Sequence, residues 1–210
     1  MRPAPGPADA RPGITGQAPQ APADHHDPRP RRRLAAGPDR PGLPGRPGRI
    51  DARWCGDITY VATDEGWLYL ATLIDIASRR VIGWATGDHL RRPLVVDALQ
   101  HAWDDRRPHG PVIFQSDRGR QYTSAAYGQV ADRLGIRLSV GRRGQCWDNA
   151  VAESFFATIK GDLLDEHRWP TRAAARSAIF EYVESWYNLH RLHSSLGYRS
   201  PAEFEAATTA

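Results

Sequence analysis

Lysine is almost missing from this 210-residue chain: Lys160 stands alone against twenty-seven arginines. Cysteine is nearly as scarce, with only Cys55 and Cys146. Two cysteines without a C-x-x-C pair make neither a disulfide framework nor a zinc site, so a reducing compartment is expected. No run of eighteen apolar residues occurs, and Met1 leads into Pro- and Gly-rich sequence with no apolar h-region. That excludes a hydrophobic spanning helix and a signal peptide from the reading, and a cytoplasmic protein with no membrane partner is expected. At 40% hydrophobic residues the chain can still bury one sizeable core with room for an appendage.

The net charge of +4 invites a nucleic-acid reading, but it is unevenly distributed. Residues 1–50 hold nine Arg and four Asp with no Lys or Glu, a net of +5. The other 160 residues hold nineteen basic and twenty acidic groups, a net of −1. The basic character therefore belongs to the tail. That tail also holds twelve of the seventeen prolines and seven glycines without apolar periodicity. Such a stretch cannot bury enough surface to offset its ordering entropy, and disorder is expected over 1–50. A solvated tail and a basic arm touching DNA are both compatible with it.

Structure is expected from Trp54. DITYVAT and WLYLATLIDIA, joined by DEG, read as a hairpin, and VIGWAT as a third antiparallel strand. The second run is nearly all apolar, which suits a strand covered on both faces. PLVVDALQHAW reads as a helix, PVIFQSD as a short buried strand, SAAYGQVADRLG as a helix stopped at Gly135, and IRLSV as a strand. A helix from Asn149 to about Asp165 follows, then a longer one over TRAAARSAIFEYVESWYNLHRLH. This order predicts an α/β fold with a mixed five-stranded sheet flanked by helices. The domains expected are the tail (1–50), a core (51–165) and a C-terminal helical extension (166–210).

Three acids stand out by position. Asp57 shares a strand face with Cys55, Thr59 and Val61. Asp117 ends a buried strand, where open α/β sheets form ligand crevices. Glu153 falls with Lys160 at the rim of a helical arc made by Val151, Ala152, Phe155, Phe156, Ile159 and Leu163. There it should be half desolvated, while Ser154, Thr158, Gly161, Asp162 and Asp165 take the wet side. If the three acids converge, each close pair repels by about 4 kcal/mol at 4 Å and an effective dielectric of 20. Protons or a metal must relieve that, and three hard oxygens favour Mg²⁺ or Mn²⁺ over zinc. Taken singly, each acid also has an ordinary reading: a strand-end turn former, a capped loop, a helix-surface glutamate.

The segments WCGDITYVATDEGWLYLATLIDIASRRVIGWA, FQSDRGRQYTS, RRGQCWDNAVAESFFATIK and YNLHRLHSSLGYRSPAEFE, taken together, resemble the integrase-type catalytic core of DDE insertion-sequence transposases. The likeness is to the group whose transposase joins two overlapping reading frames, and it covers about residues 51–205. It implies a ribonuclease H-like fold and a metal-binding triad. By motif the triad is Asp57 in W-x-x-D-I-T-Y, Asp117 in S-D-R-G and Glu153 in D-N-A-x-x-E-S-F-F. Thirty-five residues separate the last two, as the family pattern requires. The resemblance makes Lys160 a DNA contact. It implies Mg²⁺ or Mn²⁺, as two ions, and DNA as substrate: the insertion-sequence terminal repeats and target DNA, with a homo-oligomer assembled on them. One departure is Gln115, where the family commonly has His; glutamine can still hydrogen-bond.

Around this triad, Asp148 and Asn149 are read as the cap of the Glu153 helix. Arg118, Arg142 and Arg143 read equally as phosphate contacts or solvated loop residues. Trp147 reads as packing before base stacking, Asp75 as an organiser of the Ser78–Arg80 turn, and His190 with His193 as the polar end of a helix. Two other classes compete. A transposase remnant that keeps the core fold without productive DNA recognition is suggested by residues 1–50. The change near Ile50–Asp51 fits a displaced start or an out-of-frame stretch in a G+C-rich gene. A two-carboxylate glycosidase would need a cleft rich in exposed aromatics.

Overall fold

The computed structural model describes residues 49–90, 92–116, 119, 121–140 and 150–209. The chain divides at Leu43/Pro44 into two units, and the fold below is that of the second.

Three antiparallel strands open it: β1 (Arg53–Thr63), β2 (Gly66–Asp75) and β3 (Val81–Gly87). The β1–β2 turn closes at Gly66, whose φ of +103° suits a residue without a Cβ. Helix α1 (Arg92–Arg106) crosses to β4 (Val112–Ser116), and α2 (Ala125–Arg133) leads to β5 (Ile136–Val140). β4 lies parallel to β1 and β5 parallel to β4, so the sheet runs β3-β2-β1-β4-β5. The mixed five-stranded sheet expected from the sequence is present.

The sheet is covered on both faces because its central strands are apolar on both. Successive residues of β1 divide between two clusters. Trp54 joins Leu73, Leu99, Phe114 and Tyr127 under α1 and α2. Cys55 and Val61 join Leu68, Leu70 and Ile74 under α3 (Ala150–Ile159) and α4 (Arg172–Glu181). β2 is buried without a break from Leu70 to Asp75, as its apolar run predicts.

Helix α2 starts where Ser124 Oγ accepts from the Tyr127 N–H at 3.3 Å, and Gly135 follows it with a φ of +67°. The helix expected to run unbroken to about Asp165 does not stay α-helical. It changes at Lys160 to a π-helical turn, Lys160–Leu164, closed by the Asp165 N–H donating to the Lys160 carbonyl at 2.9 Å. The long C-terminal helix is likewise divided. Helix α4 passes into a π-helical stretch, Tyr182–Tyr187, and ends in α5 (Asn188–His190). Arg191 is extended, so His193 lies beyond the helix, ahead of a 3-10 turn, Ser194–Leu196. The expected His190–His193 pair on one helix is thereby corrected: the chain turns between them. Helix α6 (Pro201–Thr209) closes the described chain.

Two polar arrangements, the first half-buried and the second buried, tie distant segments together. Arg106 pairs with Asp51 at 2.8 Å and with Glu205 at 2.9 Å, and Arg80 reaches the same Glu205 oxygen at 3.2 Å. Asn188 accepts from the Val81 N–H at 3.0 Å and donates to the Val81 carbonyl at 2.9 Å, occupying the outer edge of β3 as a strand would. Among the described residues no helix is long and apolar enough to cross a membrane.

Candidate active site

Asp57 sits within β1, half-buried, opposite Thr72 of β2. Its side of the strand carries Cys55, Thr59 and Val61, all three buried. On its other side β1 pairs with β4 only through Arg53, Trp54 and Cys55, so the pairing stops two residues before Asp57. The Asp57 carboxylate accepts from the Ile58 N–H at 2.8 Å. Gly56 beside it admits the Phe114 ring: a Cβ there would lie 2.7 Å from the ring and 3.0 Å from the Thr72 carbonyl. Glycine at 56 thus lets β4 close on β1 where Asp57 is carried.

Helix α3 lies across the same face. It buries Ala152, Phe155, Phe156 and Ile159, the heart of the expected apolar arc. Ala152 packs with Cys55 in one cluster, both fully buried. That packing brings the first turn of α3, and Glu153 next in sequence, to the strand two residues before Asp57. Burial pushes the Cys55 thiol up to about 12, so it stays neutral. A free thiol that remains neutral serves as packing and a weak acceptor.

Glu153 corrects one expectation. It is exposed, not half desolvated at a rim. At 100° per residue it stands roughly 110° from the centre of the arc that is actually buried. The expected wet side is present, with Ser154, Gly161, Asp162 and Asp165 exposed and Thr158 half-buried, but it is not without partners. Arg191 donates to Thr158 Oγ1 at 3.2 Å and to Asp162 at 3.3 Å, and the Tyr182 hydroxyl donates to Asp162 at 2.8 Å. The C-terminal segment therefore grips the back of the helix that carries Glu153, which the period of a single helix cannot reveal.

Lys160, two turns beyond Glu153, is half-buried with its Nζ 5.7 Å from the centre of the Tyr60 ring. Tyr60 was overlooked at the sequence level, although the W-x-x-D-I-T-Y motif contains it. The remaining expected residues, Asp117, Arg118, Arg142, Arg143, Trp147, Asp148 and Asn149, lie outside the described residues. β4 ends at Ser116, immediately before the first of them, and Gln115 is buried opposite Cys55 and Ser139. Among the described residues no three His, Cys, Asp or Glu side chains cluster as a metal site.

Asp75 occupies the structural role read for it. It is fully buried, and one oxygen accepts from the Ala77 and Ser78 N–H groups and from Ser78 Oγ. The other accepts from the Asp51 N–H at 2.7 Å. Burial raises its carboxyl above the usual range even so.

Residues 48–146 match the family model of an integrase core domain, and residues 134–201 match a second model of the same description. The chain is 46% identical over 154 residues to transposase InsF for insertion sequence IS3A of Escherichia coli (strain K12), covering 73% of this chain and 53% of that protein. It is 41% identical over 152 residues to the transposase for insertion sequence element IS904 of Lactococcus lactis, covering 72% of this chain and 60% of that one. The chain thus spans between half and two-thirds of the length of these relatives. Its fold is similar to the HTLV-2 integrase catalytic core domain in complex with magnesium, trimeric form. That match has a TM-score of 0.55 at 16% identity, covering 73% of this chain and 95% of the other. The fold is ribonuclease H-like.

Proposed function

Since this chain belongs to the integrase core family of DDE insertion-sequence transposases, we propose that it carries the catalytic part of a transposase. It would cut DNA at insertion-sequence ends and join those ends to a second DNA. The observation that carries this reading is the seating of α3 on β1. Ala152, Phe155 and Ile159 pack in one buried cluster with Cys55 and so hold the Glu153 turn against the strand that carries Asp57.

Asp57 and Glu153, with Asp117 as the third acid, are proposed as the ligands of a divalent cation. The donor set fits a hard ion: carboxylate oxygens, with the Cys55 thiol kept neutral by burial. One or two Mg²⁺ or Mn²⁺ ions bound there would stabilise charge developing on the phosphoryl oxygens. The protein supplies placement. Asp57 stands on a rigid central strand, and Glu153 on a helix gripped from behind by Arg191 and Tyr182. Water or a DNA 3′-hydroxyl is the attacking group, so no protein nucleophile is required. Lys160 is proposed to contact the DNA backbone, with Arg118, Arg142 and Arg143 as further phosphate contacts and Asp148 and Asn149 as the cap of α3. Assembly of several copies on paired DNA ends, in the bacterial cytoplasm, completes the proposal.

The test is Mg²⁺-dependent cleavage and strand transfer on a duplex carrying the inverted repeats that flank the chain's own gene. Asp57→Asn, Asp117→Asn and Glu153→Gln should each lower the rate on the order of 1,000-fold or more. Variants as active as the parent would sink the triad, and an inactive parent that still folds would favour the remnant.

A further inference from the structure

Lys160 is the only lysine in the chain, and its ammonium lies over an aromatic ring. No carboxylate among the described residues pairs with it. The ring beneath it is itself braced: Trp67 meets Tyr60 edge to face, with 4.9 Å between centroids and an interplanar angle of 83°. Both aromatics belong to the β1–β2 ladder, Tyr60 opposite Tyr69 and Trp67 opposite Ala62. Tyr60 stands on the part of β1 that has left β4 behind, since β4 pairs only as far as Cys55, and Trp67 braces it from β2. Alternation places Tyr60 on the face of Trp54 and Ile58, whereas α3 packs on the face of Cys55. Lys160 therefore reaches Tyr60 around the open edge of β1, three residues past Asp57.

This arrangement suits an anion better than a structural ion pair. The negative face of a tyrosine ring attracts an ammonium but provides no strong acceptor for its N–H groups. All three donors stay available for charge-assisted bonds to phosphate oxygens. A long, flexible side chain is held in one region before any ligand arrives, which lowers the entropy lost on binding.

We propose that Tyr60, braced by Trp67, is a positioning residue that holds the Lys160 ammonium at the open edge of β1, where it takes one phosphodiester of bound DNA. The inference rests on Lys160 being a DNA contact and adds the residue through which that contact is organised.

Because the chain has one lysine, ¹³C-lysine labelling gives a single ε-methylene signal for the folded protein. That signal should be shifted upfield by the ring in the full chain and in Tyr60→Phe, and should return to the ordinary lysine position in Tyr60→Leu. Binding to a fluorescein-labelled DNA duplex supplies the second reading. Lys160→Gln should reduce the slope of log affinity against log salt by about 1. Tyr60→Leu should weaken binding about 3-fold to 10-fold, the scale of one cation–π contact. Tyr60→Phe should bind as the parent does, and Tyr60→Leu added to Lys160→Gln should cost nothing further. Should Tyr60→Leu fail to fold, Trp67→Ala removes the brace, and a smaller upfield shift is expected. Unchanged binding in Lys160→Gln would reject Lys160 as a DNA contact and the positioning role with it. Normal loss in Lys160→Gln with no effect of Tyr60→Leu on signal or affinity would overturn the positioning role alone. Tyr60→Phe as weak as Tyr60→Leu would also overturn it, because the hydroxyl and not the ring would then matter.

Discussion

His193 sets its ring edge-on to Tyr187, 5.4 Å between centroids, with Nε2 buried and unpartnered among the described residues. Burial, then the nearby Arg191 and Arg79, lowers its pKa from 6.5 to about 4. The sign follows from proton counting. Between pH 6.5 and 4 the unfolded chain takes up a proton that the folded chain refuses, so stability falls as pH falls through that window. The loss should be on the order of 1 kcal/mol, because water still screens part of the ring. Urea unfolding at neutral pH and at about pH 5 measures it, and His193→Gln should flatten the dependence. An equally steep dependence in the variant would assign it to other groups. Asp75 shows the same competition resolved differently: four donors to its carboxylate oppose the burial that raises its pKa.

Between elements, the tightest seam joins β3 to α1. A Cβ on Gly83 would lie 2.5 Å from the Ala98 carbonyl and 2.6 Å from both the Ala102 nitrogen and its Cβ. None of these atoms can rotate away, so Gly83→Ala must push the helix off the strand. The expected cost is about 3 kcal/mol, read as a lower denaturant midpoint with an unchanged slope. Gly161→Ala is the control. Its Cβ would meet nothing within 4 Å, and losing glycine's freedom in the unfolded chain should stabilise by about 0.5 kcal/mol. Equal effects at the two positions would refute the packing account of Gly83. At the same scale, the helix expected to be regular is divided at Lys160, and the π-helical turn there carries Asp162. Contacts from Tyr182 and Arg191 to Asp162 are tertiary, and helical periodicity carries no record of them.

For the folded unit described, the decisive feature is that the segment expected as an extension, 166–210, builds one wall of a shared core. Trp169, Ile179, Tyr182, Val183 and Tyr187 pack in one cluster with Cys55, Leu70, Phe155 and Ile159. Five large side chains at about 2 kcal/mol each already match a typical domain's whole stability of 5–15 kcal/mol. A chain ended at Asp165 should therefore bind a hydrophobic dye and melt without a cooperative transition. A sharp calorimetric transition in that piece would show that 166–210 is dispensable.

The sequence by itself determined the strands, their order of antiparallel then parallel pairing, and the face of α3 that is buried. Each of these is written in local period and turn chemistry: the unbroken apolar run of β2, the alternation along β1, the glycine at 66. Motif spacing also singled out Asp57, Glu153 and Lys160. Only the tertiary structure decided what surrounds them. It packed Ala152 with Cys55 in one buried cluster and laid the Lys160 ammonium over Tyr60. It also left Glu153 exposed where a half-buried rim was expected, and placed Arg191 and Tyr182 behind its helix. Those contacts join residues 20 to about 100 positions apart. Period reports the face of one element, whereas its partner across such a distance is selected by the packing of the whole core.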